Sequence, residues 1–103
     1  MSTTVRNIRD GTYDPSNPNH VYIGRANRHL RLTCSKWANP FPVNPSDPSN
    51  TRAGVIAKYR ALLLDHRRLL AALPELKGKT LYCWCFPEAC HGDVLAELAE
   101  ATA

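Results

Sequence analysis

The 103-residue sequence predicts an α/β fold, with a small, mainly parallel sheet of about three strands flanked by helices in a Rossmann-like arrangement. Short β-rich runs alternate with amphipathic segments along the chain, which is the pattern of α/β proteins. A long helical segment separates the last two strands, and such a crossover most simply joins parallel strands through a right-handed connection. The length fits one domain, so we expect a single α/β domain over residues 1–103 with a long Pro-rich loop at about 26–50.

The first half of the chain is predicted to supply two strands. Residues 3–8 alternate weakly and favour a short strand, whereas residues 10–20 are turn-forming throughout. The compact run VYIG at 21–24 predicts a buried strand. The Pro-rich loop follows, and a loop of this length in a small domain is usually functional or disordered.

The strongest periodic pattern predicts one helix from about Thr51 to Leu73, ended by Pro74. Eight apolar residues fall on one face at 100° per residue: Val55, Ile56, Tyr59, Leu62, Leu63, Leu69, Leu70 and Leu73. His66 lies in the middle of this stripe and is therefore expected to be a core histidine with one hydrogen-bond partner.

The C-terminal part predicts a third strand over residues 80–85 and a second amphipathic helix over residues 93–101. Ligands of open α/β sheets bind beyond the carboxyl ends of the strands. Parallel strands would bring the loops that follow strands two and three to the same edge. We therefore expect Arg25, the SKWANPF loop (residues 35–41) and the CWCFPEACHGD loop (residues 83–93) to line one cleft.

The cysteine loop has three interpretations. In the first, a thiol attacks a substrate, with Cys90 or Cys85 as nucleophile and His91 as proton carrier, because a helix N-terminus favours a thiolate. In the second, Cys83, Cys85, Cys90 and His91 bind zinc, although the C-x-C-x4-C-H spacing departs from the usual paired knuckles. In the third, the cysteines are small core residues, which is the preferred interpretation for Cys83. We expect no cofactor, with zinc as the alternative.

The SKWANPF loop supplies residue types suited to an anionic ligand. We expect Lys36 to pair with the anion together with Arg25, Trp37 to stack on the ligand and Asn39 to orient it. Asp93 is a further ligand-binding candidate, although it is also a candidate N-cap of the last helix. Alternatively, Trp37 and Phe41 anchor the loop to the core.

The segments VYIGR, SKWANPF and CWCFPEACHGDVLAELA together resemble the family known as domain of unknown function 4326. This resemblance spans Val21 to Leu98 and implies an α/β fold in a small phage or bacterial protein, with residues of these segments as signature positions. Ala38 stands where the family usually has glycine. The resemblance implies no particular reaction, so it leaves open whether the protein is an enzyme.

Charge and composition bound the partners. The net charge of +4 favours a small anionic ligand, such as a nucleotide, or nucleic acid. The chain has neither a membrane-spanning apolar run nor a signal-peptide pattern, so a cytoplasmic protein without a membrane partner is expected. We predict binding, with processing as an extension, of a nucleotide-like or phosphorylated small molecule. The alternative is a non-enzymatic phage protein that binds a host macromolecule, with the cysteine and histidine cluster structural or zinc-binding.

Overall fold

The fold is seen in a computed structural model that describes residues 3–41, 44, 46–84, 88 and 90–102. The strands are β1 (Thr4–Asn7), β2 (His20–Tyr22) and β3 (Thr80–Cys83). They form one sheet in the order β1-β3-β2, and both pairings are parallel. Leu81 of the central strand lies opposite Val5 on one side and Val21 on the other. The predicted α/β fold with a small parallel sheet is confirmed, whereas its Rossmann-like character remains a prediction.

Two helices precede β3 in the sequence and one follows it. They are α1 (Arg52–Leu64), α2 (Arg67–Ala72) and α3 (His91–Glu100). Among the residues that the structure describes, three short 3-10 helices occupy Ile8–Asp10, Pro48–Asn50 and Leu73–Leu76. In the described part of the chain, no helix has the length and apolar character needed to cross a membrane.

The single helix predicted over residues 51–73 is wrong, because the chain breaks it at Asp65 and His66. Asp65 ends α1, and the backbone of His66 is extended at φ −105° and ψ 96°. The His66 side chain caps α2 by accepting the N–H of Leu69 through Nδ1, at 3.3 Å. His66 is therefore an exposed capping residue and not the expected core histidine. Leu62, which the sequence placed on the apolar face, is 37% exposed.

The sheet has two different faces because strand side chains alternate. The helical face packs against α1 and α3 around Leu81 and Ile23, both fully buried. The opposite face carries Tyr22 and Tyr82, which are covered by residues from connecting segments such as Tyr13. The aromatic residues of the strands thus gather on the side opposite the helices.

Candidate ligand-binding site

The candidate site lies where β2 and β3 end and α3 begins. Cys90 is the N-cap of α3, and its sulfur accepts the N–H of Gly92 at 3.2 Å. Asp93 completes a capping box by accepting the Cys90 backbone N–H through Oδ2, at 3.1 Å. The sequence C-H-G-D therefore acts like the Ser-x-x-Glu signature, with cysteine in the place of serine. Asp93, a candidate N-cap by sequence, is instead the third residue of the helix.

Cys90 also contacts Cys83, the last residue of β3. The two sulfur atoms are 3.1 Å apart, and both residues are buried. Contact with Cys83 raises the pKa of the Cys90 thiol, and burial raises it further, so the proton stays on sulfur at neutral pH. This direction is opposite to the lowering that a helix N-terminus alone would give. Cys83 packs in the main core, and its part in the zinc hypothesis remains a prediction.

The imidazole of His91 connects the two loops at this edge. Its Nε2 lies 2.8 Å from the backbone oxygen of Ile23, just beyond β2. Since a carbonyl can only accept, the neutral ring carries its proton on Nε2 and keeps Nδ1 as an acceptor. Burial lowers the pKa of His91, and the charge of Arg25 lowers it further. His91 is therefore a neutral imidazole at pH 7.

Tyr59 of α1 holds the His91 ring and the SKWANPF loop together. The two rings meet edge to face, with centroids 4.9 Å apart. The buried Tyr59 hydroxyl donates to the backbone oxygen of Trp37 at 2.7 Å, and burial raises the pKa of this phenol. The sequence predicted Tyr59 as a core residue, but its hydrogen bond into the loop depends on how the loop folds back over α1.

Arg25 clamps the SKWANPF loop from the other side. Its Nε and Nη2 both donate to the backbone oxygen of Asn39, at 3.1 and 2.9 Å. The Asn39 side chain donates to the Val55 backbone oxygen at 3.4 Å and accepts the Phe41 N–H at 2.9 Å. The loop that follows β2 and the SKWANPF loop are therefore braced against each other.

The remaining SKWANPF side chains do not all face this edge. Trp37 is buried in the main core, which confirms the anchoring interpretation for that residue, and Phe41 is half-buried. Lys36 is exposed and forms an ion pair with Glu75 at 3.0 Å. Arg25 and Asn39 thus lie together near the Ile23 backbone that His91 contacts. Lys36 instead pairs with Glu75.

The zinc hypothesis involves one residue, Cys85, that lies outside the described residues. Cys83 and Cys90 are close together, but His91 directs Nε2 at the Ile23 carbonyl. Among the residues that the structure does describe, no group of three or more His, Cys, Asp or Glu side chains is placed to hold a metal ion. Zinc binding through Cys85 therefore remains a prediction.

One cluster was not predicted from the sequence, namely the aromatic residues on the sheet face opposite the helices. Tyr13, His20, Tyr22 and Tyr82 contact one another there, with ring centroids 5.0 to 6.5 Å apart. A signal was present, because His20 and Tyr22 alternate along one strand and Tyr82 and Trp84 along another. Side chains two residues apart in a strand share a face.

Fold and site together define a small α/β domain whose sheet edge carries a histidine, paired thiols and a clamped arginine. Comparison with known proteins identifies the family. The model of the domain of unknown function DUF4326 matches residues 6–101, so the chain belongs to this family, as predicted from the sequence.

A viral relative extends this comparison. The chain is 38% identical over 88 residues to an uncharacterized protein of Acanthamoeba polyphaga mimivirus. The match covers 76% of this chain and 65% of that relative, so the chain spans less than two thirds of the relative's length. No solved structure matches the chain.

Proposed function

We propose that the protein binds a nucleotide-like or otherwise phosphorylated small molecule at the carboxyl edge of its sheet, beside Arg25 and the SKWANPF and CWCFPEACHGD loops. One observation carries this proposal. The hydrogen bond from His91 to the Ile23 carbonyl joins the segments that follow β2 and β3. Ile23 is two residues before Arg25 in the sequence. This is the edge at which parallel α/β sheets bind ligands.

Arg25 is the residue best suited to hold the anion. Its two bonds to Asn39 use two of the five N–H donors of a guanidinium, and no described residue accepts from the others. The side chain is exposed, so a phosphate or carboxylate can reach these donors. The clamp on Asn39 fixes the guanidinium in advance, which reduces the entropy lost when a ligand binds.

Lys36 and Trp37 take different roles in this proposal. The ion pair of Lys36 with Glu75 is exposed, and exposed pairs contribute at most about 1 kcal/mol, so the ammonium can exchange Glu75 for a ligand anion. Trp37 supports the site from the core by fixing the loop, since its buried ring presents no open face for stacking. Asn39 positions the guanidinium of Arg25 through its backbone oxygen.

Processing of the bound molecule remains an extension of this proposal. His91, as a neutral imidazole, is in the state that a general base requires. Cys90 holds its proton, so a nucleophilic step would first require the thiol to lose it. Cys85, the other predicted nucleophile, lies outside the described residues. Turnover by Cys90→Ser and His91→Ala variants is the direct measurement of these roles.

The binding proposal is tested by thermal unfolding against a panel of nucleotides and sugar phosphates. A ligand present at about 100 times its Kd should stabilise the protein by about 2.7 kcal/mol. Arg25→Lys keeps the charge but loses the fork, and Arg25→Ala loses both. Because hydrogen bonds to charged groups contribute roughly 1.5–3 kcal/mol, Arg25→Ala should weaken binding about tenfold or more.

The matched control is Arg67→Ala, which removes an exposed arginine from α2 and should bind like the original protein. The proposal fails if no compound in the panel raises the unfolding temperature, or if Arg25→Ala and Arg67→Ala bind equally well. In either case, recovery of one host macromolecule in stoichiometric yield would favour the alternative of a non-enzymatic binding protein.

A further inference from the structure

A cavity of about 740 Å³ lies on the aromatic face of the sheet, opposite the helices. Its walls come from β2 and from the segments around residues 11–15 and 30–35, and they include Tyr13, His20, Tyr22, Arg31, Thr33 and Ser35. Cavities of roughly 300–1,000 Å³ are the size of small-molecule sites in proteins. The residues at the carboxyl edge, Arg25 and His91, are not among those that line it.

The aromatic lining favours a planar ligand. Tyr13 and His20 are stacked, with ring planes 26° apart and centroids at 6.4 Å. The Tyr22 ring is tilted at 58° to Tyr13, so the rings form walls of different orientation around the cavity. A flat heteroaromatic ring can stack on such walls through its π face whatever its ring substituents are.

Polar groups accompany these rings. His20 accepts the Asp14 N–H through Nδ1 at 3.0 Å, so the neutral imidazole carries its proton on Nε2 and can donate from there. Thr33 and Ser35 bring hydroxyl groups to the lining. The Ser35 Oγ accepts the Trp37 N–H, which leaves its own proton for donation. Donors of this kind can pair with the ring nitrogens or oxygens of a heterocycle.

Arg31 adds a positive charge in an unusual backbone conformation. Its φ is 55°, and it is the one described residue other than glycine with a positive φ. The turn that holds it is closed by paired backbone hydrogen bonds between Asn27 and Leu32, both 2.9 Å. Side chains kept in this conformation are concentrated at binding and catalytic sites. The turn therefore presents a guanidinium at the cavity, whereas glycine, which adopts a positive φ without strain, would supply no charge.

We propose that this cavity is a second binding site, which accepts a planar heteroaromatic ring bearing an anionic group, the chemistry of a mononucleotide. The ring stacks against the aromatic wall at Tyr13, the Nε2–H of His20 donates to the heterocycle, and Arg31 pairs with the anion. Apart from Ser35, which begins the SKWANPF loop, this site stands on residues other than those of the carboxyl edge, so either site can fail without the other.

The test is a titration of the 103-residue chain with AMP, followed residue by residue through backbone amide NMR shifts. Adenosine and ribose 5-phosphate are titrated in parallel, because one lacks the phosphate and the other lacks the base. AMP should shift the amides of residues 11–14, 20–22 and 30–35. Adenosine should shift the same residues at higher concentration, and ribose 5-phosphate should leave them unshifted.

Variants separate stacking from charge. Arg31→Gly removes the guanidinium and suits the positive φ, so folding is preserved while the affinity for AMP falls about tenfold. Arg28→Ala, in the same turn but outside the cavity lining, is the control and should bind AMP normally. Tyr13→Ala should abolish the shifts, whereas Tyr13→Phe keeps the ring and should retain them.

Three outcomes overturn the proposal. AMP shifts confined to the carboxyl edge, around Arg25 and His91, would support the first site and exclude the second. Equal affinities of Arg31→Gly and Arg28→Ala for AMP would show that Arg31 does not contact the anion. The absence of any cavity shift with millimolar AMP or adenosine would show that this cavity does not take a heteroaromatic ring.

Discussion

The sulfur of Cys90 accepts a helix N–H from Gly92 and contacts the sulfur of Cys83 at the same time. Serine, the usual residue at such a cap, would satisfy the helix but would place a smaller, more polar atom against the core. The cysteine therefore suits a helix start that is itself buried. The position of Cys90 near a helix start predicted a functional thiol. Its contact with the sulfur of Cys83, seven residues away, depends on the conformation of the intervening loop and was not predicted.

The state of Cys90 predicts low reactivity toward alkylating reagents. Each unit by which a pKa is raised lowers the thiolate fraction about tenfold, and the thiolate is the reactive species. In the native protein, iodoacetamide should therefore modify the exposed Cys34 at least about tenfold faster than Cys90. Site-resolved mass spectrometry measures both rates. In strong denaturant the two rates should converge, and equal rates in the native protein would contradict the buried thiol pair.

The neutral state of His91 predicts a loss of stability in mild acid. Burial lowers its folded pKa below the ordinary value of 6.5, so the unfolded chain binds more protons in that range and stability falls as the pH drops below about 6.5. The hydrogen bond to the Ile23 backbone opposes this lowering of the pKa, the charge of Arg25 adds to it, and the charge of Asp93 opposes it.

Urea unfolding at several pH values measures this contribution. For the original chain, the urea concentration at the unfolding midpoint should fall between about pH 7 and pH 5, because charging His91 favours the unfolded state. His91→Gln keeps an N–H for the Ile23 carbonyl but does not titrate, so its profile should be flatter. Parallel profiles for the two proteins would show that His91 does not govern the acid response.

At the scale of elements, the helices show which sequence signals are decisive. The apolar period of α1 placed Val55, Tyr59 and Leu63 in the core as predicted. The break after α1 was missed because neither proline nor glycine marks it, and His66, which caps α2, is not among the residues normally expected at an N-cap. Helix α3 begins at His91, two residues before the predicted start, because cysteine is not among the residues normally expected at an N-cap.

The contact between α3 and the sheet predicts the effect of one substitution, Gly92→Ala. A Cβ at Gly92 would lie 2.9 Å from Cδ1 of Ile23 and 3.2 Å from Cγ1 of Val5. Overpacking of this kind typically costs about 1–3 kcal/mol, so the variant should unfold at a lower urea concentration.

A double-mutant cycle with Ile23→Val is the control for this substitution, since valine lacks the Cδ1 atom. In a chain that already carries Ile23→Val, the Gly92→Ala change should be less destabilising than in the original chain, by roughly 0.5 kcal/mol or more. Strict additivity of the two changes would mean that helix propensity, and not close packing against the segment that follows β2, explains the effect.

At the scale of the molecule, general rules predicted the parallel sheet and the meeting of two loops at its carboxyl edge. The hydrogen bond between His91 and the Ile23 carbonyl is the form that this meeting takes. The strand order β1-β3-β2 and the cavity on the aromatic face were not predictable in the same way. Both depend on how irregular segments such as residues 8–19 and 26–34 cross the sheet, and their conformation follows from turns that residue periodicity does not encode.

The central position of β3 bears on how the chain folds as it leaves the ribosome. Both outer strands are synthesised first, yet in the part of the chain that the structure describes each pairs with β3 alone, which starts at Thr80. Until that segment emerges, β1 and β2 have no native hydrogen-bonding partner and present open edges of the kind that recruit other chains. The described sheet is thus completed only when β3 inserts between two strands that the ribosome has already made.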